Sequence, residues 1–317
     1  MIDCNEELVT VFGGGGFIGR YVCEFLMKSG VRVRVAQRNP KQAYIIQPLG
    51  QVGQFGFVAA DITDPVSVRR ALLGATAAVN LVGVFGKKMR ATHVDGARNV
   101  AEAARVAGLD ALVQVSAIGA SLEAKSAYGR TKAEGEEAAR AAFHGATIVR
   151  PSLVFGPEDE LTNRFAGMAR LPILPVIAAK RHFQPVYVRD LGRAIAMAAL
   201  EPQRFGGQTF EIGGPQRFSM LELHRAILEI TGQRPEVTPL PDVFGSLLSK
   251  FGWLPGAPLT QDQWLMLQHD NVPSGKLPGL ETFGIEPTPL AAVAYEWLGR
   301  FSGNRFAGKR IHLTAAS

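Results

Sequence analysis

A tyrosine and a lysine with acid–base chemistry lie four positions apart, at Tyr128 and Lys132. On a helix, this spacing places both side chains on one face. An ammonium group beside a phenol favours the phenolate, so we expect Lys132 to lower the pKa of Tyr128 from its usual value of ~10. Such a tyrosine can act as a general acid or base in hydride chemistry, and the lysine can also hold a ribose. Taken alone, the pair is often only a surface feature, so its significance depends on its surroundings.

Glycines occupy positions 13–16 and 19, directly after an apolar run at 8–12. A turn from a strand into a helix offers free N–H groups and the positive end of the helix dipole, which together bind a pyrophosphate. Gly13 would open the turn, Gly16 would admit the phosphate, and Gly19 would let the helix pack on the strand. The run also fits a register that begins at Gly14, and the spacing does not choose between the two. The predicted dinucleotide loop comprises Gly13, Gly15, Gly16, Phe17, Ile18 and Gly19.

About 20 residues after this loop, the end of the second predicted strand carries Gln37 and Arg38 where NAD sites have a carboxylate. An arginine there pairs with the 2′-phosphate of NADP through charge-assisted hydrogen bonds. We therefore predict NADP(H) as the preferred cofactor, with NAD(H) as the alternative; a solvated surface arginine would favour neither. Asp61 and Ile62, after the third strand, are predicted to reach the adenine, although Asp61 has an equal claim as the start of a turn.

Strand-like and helical runs alternate along the first two-thirds of the chain. Strands are predicted at 8–12, 31–36, 57–60, 77–82, 111–116, 146–150 and 208–212, and helices at 17–29, 66–73, 91–107 and 127–142. This alternation is typical of parallel strands joined by right-handed helical crossovers. The sequence therefore predicts an α/β fold with a doubly wound parallel Rossmann sheet of about seven strands.

After residue 215 the composition changes to a predicted helix at 220–231, followed by loops rich in proline. We predict a dinucleotide-binding domain over residues 1–215, of which 157–183 contribute to a second lobe. Residues 216–317 are predicted to form that smaller, mostly helical lobe. The residues from Arg305 onward are predicted to be a loosely anchored basic tail.

The composition excludes several classes of protein. Among 317 residues, 47 % of them hydrophobic, no apolar stretch reaches the roughly 18–20 residues of a membrane-spanning helix, and the acidic N-terminus lacks a secretion signal. Cys4 and Cys23, the two cysteines, suggest neither a disulfide framework nor a metal site. The net charge of +6 comes without a nucleic-acid motif and suits an acidic partner, a phosphate-bearing ligand or an anionic membrane surface. We expect a cytoplasmic protein, with peripheral contact at the inner membrane face as a further option.

Several motifs together resemble the short-chain dehydrogenase/reductase superfamily, in its extended or atypical branch of epimerase-like proteins. These motifs are 13–19, Asp61-Ile62, Asn80-Leu81-Val82-Gly83, Tyr128 with Lys132, 150–157 and 184–190. Within that branch, the chain looks most like bacterial relatives of subunit 9 of the alpha subcomplex of mitochondrial respiratory complex I. That similarity rests on Val11-Phe12-Gly13, Arg20-Tyr21-Val22, and the segments 258–263 and 270–272.

The resemblance implies a bound NADPH that mainly stabilises the fold and anchors the protein near the membrane arm and the quinone region of the complex. It also implies further cofactor contacts, at Leu81, Val82, Gly83, Pro151, Leu153 and Val154. Active relatives carry a serine at the end of the fifth strand, where this chain has Ser116. Because the working serine of the extended branch usually falls later, Ser116 either caps a turn or touches the cofactor, or it is catalytic. Ser126 is a weaker candidate.

Two functions are consistent with these residues. The first is an NADP(H)-binding accessory or assembly protein of a respiratory NADH:quinone oxidoreductase, with complex I subunits as partners. The second is an active NAD(P)-dependent reductase or epimerase, in which Tyr128 exchanges a proton, Lys132 tunes it and Ser116 orients a carbonyl. No motif identifies the substrate, which could be a carbonyl compound, a quinone or a nucleotide sugar.

Overall fold

The chain folds around a parallel sheet in the computed structural model, which describes residues 7–252 and 259–302. In chain order the strands are β1 (Leu8–Phe12), β2 (Arg32–Gln37), β3 (Phe55–Ala59), β4 (Ala77–Asn80), β5 (Ala111–Val115), β6 (Thr147–Pro151), β7 (Val154–Phe155), β8 (Ile173–Val176), β9 (His182–Phe183), β10 (Val186–Tyr187), β11 (Thr209–Ile212), β12 (Phe218–Ser219) and β13 (Glu236–Pro239). Seven of them form one sheet in the order β11-β6-β5-β4-β1-β2-β3, with every neighbouring pair parallel. The order reverses between β1 and β4, which makes the sheet doubly wound. The predicted α/β Rossmann fold is confirmed.

Helices cover both faces of this sheet. They are α1 (Phe17–Lys28), α2 (Pro65–Leu72), α3 (Gly96–Val106), α4 (Ala127–Ala142), α5 (Glu160–Met168), α6 (Val188–Leu200), α7 (Pro202–Phe205), α8 (Met220–Thr231), α9 (Asp242–Lys250), α10 (Gln261–Leu267), α11 (Leu290–Val293) and α12 (Tyr295–Leu298). Side chains of α1 and α6 pack on one face, and those of α2, α3 and α4 pack on the other. Every residue of β4 and β5 is therefore buried, as is usual for parallel strands covered on both sides.

Two of the differences between the predicted and observed bounds bear on the site. The strand predicted at 77–82 ends at Asn80, because the next residues leave the ladder and form a loop at the edge of the sheet. The helix predicted at 91–107 begins with a π-helical turn, Ala91–Asp95, before the regular helix α3. π-Helical turns are rare and are frequent at functional sites.

Helix α6 was not predicted from the sequence, although it packs against α1. Its apolar residues recur at helical spacing, at Leu191, Ile195 and Ala198, all of them fully buried. The helix belongs to the crossover between β6 and β11, which parallel pairing requires. A 3₁₀ helix at Pro40–Leu49 was also missed, because it contains two prolines and no clear periodicity.

A second group of elements packs beyond the sheet, and we call it the small lobe: α5, β8, β9, β12, α8, β13, α9 and α10. Residues 160–183 join the elements from residue 218 onward, since β8 pairs with β13 and β9 with β12. The domain boundary at residue 215 stays a prediction. The predicted tail from Arg305 lies outside the described residues, as do Cys4 and Pro258. Cys23 is a fully buried free thiol, and burial raises its pKa to about 12.

Candidate active site

The glycine loop joins β1 to α1 at the carboxyl edge of the sheet. Gly13 has φ +80°, a left-handed conformation that favours glycine, and its N–H donates to the Ala36 carbonyl at 2.9 Å. Gly16 is the N-cap residue of α1. A methyl group on Gly19 would lie 2.3 Å from the Gly13 carbonyl oxygen, so only glycine fits there. The backbone thus favours the register 13, 16 and 19 over the one that begins at Gly14.

The first turn of α1 carries no side-chain cap and no acidic residue. Backbone N–H groups at an uncapped helix start attract an anion. Of the other predicted loop residues, Gly15 donates its N–H to Gln37 Oε1 at 3.1 Å. Phe17 packs towards Gly156, and Ile18 is partly buried between two hydrophobic clusters. Their side chains are occupied, so Phe17 and Ile18 can reach a phosphate only through the backbone.

Two cations lie near the ends of β2 and β3. Arg38 is exposed directly after β2, and both Arg38 and Lys88 help to hold the pKa of Asp61 below its usual value. The largest contribution comes from Thr63, whose N–H and hydroxyl donate to Asp61 Oδ1 at 2.9 and 2.8 Å. Asp61 therefore does start a turn, and its contact with an adenine stays a prediction. The predicted partner Ile62 is buried against Gly96.

The loop after β4 lies between the glycine turn and Lys132. Leu81 and Val82 are the nearest neighbours of Gly13, and a methyl group on Gly83 would lie 3.3 Å from Lys132 Nζ. The Leu81 N–H donates to the Phe12 carbonyl at 3.0 Å, which ties this loop to β1. The structure thus brings the predicted residues of the glycine run, the β4 loop and the Tyr-Lys helix to one edge of the sheet.

Lys132 is buried on α4, and its Nζ donates to the Val115 carbonyl at 3.1 Å. Burial lowers its pKa to about 8. The Lys132 Nζ lies 5.8 Å from the centre of the Tyr128 ring. Burial raises the pKa of Tyr128 to about 12, so the expected lowering of the phenol's pKa was wrong. The reason is that the Lys132 ammonium group bonds a backbone carbonyl, while packing around the half-buried Tyr128 disfavours its charged phenolate.

Ser116 follows β5, and its position matches the prediction for a serine at the fifth strand end. Its N–H donates to the Val149 carbonyl at 2.7 Å, and its hydroxyl is buried without a hydrogen-bond partner among the described residues. Buried hydroxyls are nearly always bonded, so this one is available to a ligand. The weaker candidate Ser126 is instead the N-cap of α4, where Oγ accepts the Gly129 N–H at 3.1 Å.

His93 is a site residue that sequence reasoning missed. It lies on the π-helical turn, and its ring packs edge-on against Tyr128 with centroids 5.3 Å apart. The Val84 N–H donates to Nε2 at 3.1 Å, so the neutral ring carries its proton on Nδ1, 2.9 Å from Thr131 Oγ1. Burial, with help from the Lys132 charge, lowers the pKa of His93 to about 4. A neutral His93 therefore fastens the β4 loop to α4 beside the tyrosine.

Two residues of the C-terminal region complete the site, and both lie in segments that the sequence marked only by resemblance. Asp262 accepts the Ala127 N–H at 2.5 Å and the Tyr128 N–H at 3.1 Å. The Asn271 side chain accepts the Leu153 N–H at 3.0 Å and donates to the Ile118 carbonyl at 3.4 Å. These contacts hold the loops after β5 and β6. No spacing rule would have found them, because each contact spans more than a hundred residues.

The other predicted contacts lie along the same edge. Pro151 ends β6, where its carbonyl accepts the Ile118 N–H at 3.0 Å, and Val154 begins β7, paired with Val186 of β10. Within the described ranges, no group of three or more His, Cys, Asp or Glu side chains could hold a metal ion. Three features are chemically matched to a dinucleotide. They are the uncapped start of α1, the Ser116 hydroxyl without a partner, and the two cations Arg38 and Lys88.

Comparison with known proteins identifies the group to which this architecture belongs. The model of the NAD dependent epimerase/dehydratase family matches residues 9–213. The chain belongs to this family. The resemblance to the epimerase-like branch of short-chain dehydrogenases is thereby confirmed, and the family is described as NAD dependent. The match covers the glycine loop, Ser116 and the Tyr-Lys helix of this family member.

Proteins with similar sequences include respiratory subunits and an enzyme. The chain is 33 % identical over 316 residues to NADH dehydrogenase [ubiquinone] 1 alpha subcomplex subunit 9 of Mus musculus, covering 97 % of this chain and 84 % of that protein. It is 30 % identical over 243 residues to the ceramide reductase of Caulobacter vibrioides, covering 74 % of each chain. The similarity to subunit 9 relatives that the motifs indicated is confirmed.

Solved structures share the fold. An NADPH-dependent quinone oxidoreductase from Escherichia coli, solved with NADPH, superposes with a TM-score of 0.71 at 20 % identity, covering 92 % of this chain and 99 % of that one. This likeness supports the fold over most of the chain, including the Rossmann sheet.

Proposed function

We propose that this protein is an NADP(H)-binding accessory or assembly protein of a respiratory NADH:quinone oxidoreductase, held at the inner face of the membrane. The observation that carries the proposal is the similarity to the mouse subunit, which extends over nearly the whole chain and includes the C-terminal region. Asp262 and Asn271 lie in that region and fasten it to the start of α4 and to the loop after β6, at the carboxyl edge of the sheet. A glycine turn and a buried Lys132, in a chain similar to a respiratory subunit along nearly its whole length, support a nucleotide that is mainly structural.

The preference for NADP(H) is supported by charge at the adenosine end. Arg38 and Lys88 both act on Asp61, so a 2′-phosphate placed beside them would meet two cations. Gln37, which stands where NAD sites have a carboxylate, is occupied with the Gly15 N–H. Gly13, Gly16 and Gly19 would hold the pyrophosphate, and Lys132 would hold the ribose next to the nicotinamide.

Purification from the native membrane tests this proposal. We expect respiratory complex I subunits to co-purify with the chain after mild detergent extraction. Denaturation of the sample should release NADP(H), which mass spectrometry would identify. A chain that purifies from the same membranes without any complex I subunit would contradict the accessory role. Release of NAD(H) alone would contradict the cofactor preference and leave the accessory role standing.

A second function is favoured by the bare Ser116 hydroxyl and the intact Tyr-Lys pair. The protein would then be an NAD(P)-dependent reductase, and bound NADPH would supply a hydride to a carbonyl or quinone substrate. Ser116 would orient the carbonyl, and Tyr128 would deliver a proton, which suits a phenol that burial keeps protonated. The name of the ceramide reductase relative supports lipid-like carbonyl substrates. NADPH oxidation with such a substrate that disappears in Tyr128→Phe would establish this activity; no turnover in a panel of ceramide-like ketones, quinones and nucleotide sugars would exclude it.

A further inference from the structure

In helix α9 of the small lobe, the bulky apolar side chains face solvent and the small residues face inward, which is the reverse of an ordinary surface helix. Its small residues face inward: a methyl group on Gly245 would lie 2.3 Å from the Trp264 ring, and Ser249 is buried. Its bulky apolar side chains face solvent, with exposed fractions between 40 and 74 %. These side chains are Val243, Phe244, Leu247, Leu248 and, one residue past the helix end, Phe251.

This arrangement has no explanation within the described part of the fold. Surface helices normally turn an apolar stripe inward and charged residues outward. Contiguous exposed apolar side chains mark sites where a protein meets another molecule or a membrane. Five such side chains within nine positions make the outer face of α9, defined by those five residues, a docking surface.

The charges around this face identify the occupant. Lys250 lies at the end of α9, and the helix has one carboxylate, Asp242, at its start. Ala178 packs on Trp264, the ring that also covers Gly245, and Lys180 and Arg181 follow after Ala179. Neither Lys180 nor Lys250 forms an ion pair with any described residue. An apolar helix face with the unpaired Lys250 at its end, and with Lys180 near the ring beneath the helix, matches a bilayer that carries anionic head groups.

We propose that the outer face of α9 docks the protein on the surface of an anionic phospholipid bilayer, with the helix lying in the plane of the interface. Among the helices that the structure describes, none could span a bilayer. The inference deepens the membrane-side location given in the proposed function. Docking also sets the site near the bilayer, since Ser249 Oγ bonds Gln261 Oε1 of α10 at 2.7 Å, and α10 carries the Asp262 that caps the Tyr128 helix.

Vesicle flotation with the purified full-length chain tests the proposal. Vesicles of phosphatidylethanolamine with phosphatidylglycerol should carry the protein upward, and vesicles of phosphatidylcholine alone should carry much less. The double variant Phe244→Ser/Leu247→Ser should lower the bound fraction about tenfold or more, because two apolar side chains no longer enter the bilayer. The matched control is Leu73→Ser/Val106→Ser, which removes two even more exposed apolar side chains from the sheet domain and should bind like the wild type.

A second variant pair tests the charge contribution without touching the apolar face. Lys180→Glu/Lys250→Glu should abolish the preference for phosphatidylglycerol, and thermal melting by circular dichroism should show all variants folded. A wild-type chain that ignores both kinds of vesicle, or a control pair that loses binding as much as the α9 pair, would overturn the proposal. Flotation requires neither complex I nor cofactor, so its failure is distinguishable from a failure of the accessory role.

Discussion

The fold strongly affects the charge of Lys132. Its ammonium group is enclosed between α4 and the carboxyl end of β5, with the Val115 carbonyl as its bonded partner. Glu136, one turn further on, opposes the loss of charge but is itself bonded to Arg150 at 2.6 and 2.9 Å. Burial therefore dominates, and the lysine gives up its proton near pH 8. A ribose or phosphate nearby would restore that proton, which couples the charge of Lys132 to the cofactor.

This burial makes the stability of the cofactor-free protein depend on pH. Between its folded pKa of about 8 and the ordinary lysine pKa of 10.5, Lys132 binds more protons in the unfolded chain. Its contribution to stability is therefore complete above 10.5 and is lost as pH falls towards 8. We expect the stability of the wild type relative to Lys132→Met to rise by about 2 kcal/mol from pH 8 to pH 10. Urea unfolding of both proteins at several pH values measures this difference.

Comparison with the variant separates Lys132 from other groups in this range. Cys23 and Tyr128 have raised pKa values and lower the stability as pH increases, but they do so equally in both proteins. Exposed Lys125 is the matched control, because Lys125→Met should leave the pH dependence unchanged. Parallel pH profiles for the wild type and Lys132→Met would show that the ammonium group is not desolvated.

Helix α4 illustrates how one element can depend on a distant part of the chain. Its first turn is capped twice, by the local Ser126 and by Asp262 from α10. A carboxylate at a helix start bonds free N–H groups and complements the helix dipole. Because the Tyr128 N–H is one of its partners, Asp262 fixes where the tyrosine enters the helix.

Removal of this cap should be costly. We expect Asp262→Ala to lower the free energy of unfolding by about 1–2 kcal/mol, since two N–H groups lose a charged acceptor. Asp262→Asn keeps one acceptor oxygen and should have an intermediate effect. Asp242→Ala, also in the first turn of a helix, is the control and should change stability by less than about 0.5 kcal/mol. Denaturant unfolding measures all three, and equal values for Asp262→Ala and Asp242→Ala would contradict the capping role.

The sequence predicts the elements whose pattern is local, and it fails where the determinants are distant. β1, the glycine turn and α4 were predicted closely because an apolar run, a glycine series and a helical repeat each lie within a few residues. Helix α6 has an equally regular repeat at Leu191 and Ile195 and could have been found from it. The role of Asp262 could not have been found from the sequence, because only the tertiary fold brings it to the N–H groups of Ala127 and Tyr128.

At the scale of the molecule, the carboxyl edge of the sheet joins the N-terminal glycine turn to the C-terminal region that contains Asn271. The turn after β1 and the distant Asn271 both lie at the carboxyl ends of the parallel strands. A ligand bound along this edge would contact the loops of β1 to β6 at once and would stabilise all of them by mass action. The protein should then behave as one cooperative unit in the presence of cofactor, as a structural role for the nucleotide requires.

Thermal unfolding with added dinucleotides tests this coupling and the part of Arg38 in it. At about one hundred times Kd, a ligand adds ~2.7 kcal/mol, which raises the Tm of a domain this large by several degrees. We expect NADPH to give a larger rise than NADH, because the guanidinium of Arg38 adds a charge-assisted hydrogen bond worth ~1.5–3 kcal/mol. Arg38→Ala should reduce the NADPH effect to that of NADH, whereas Arg69→Ala, which removes another arginine from the same domain, should not. If NADPH and NADH raised the Tm equally in the wild type, the 2′-phosphate would have no partner at Arg38.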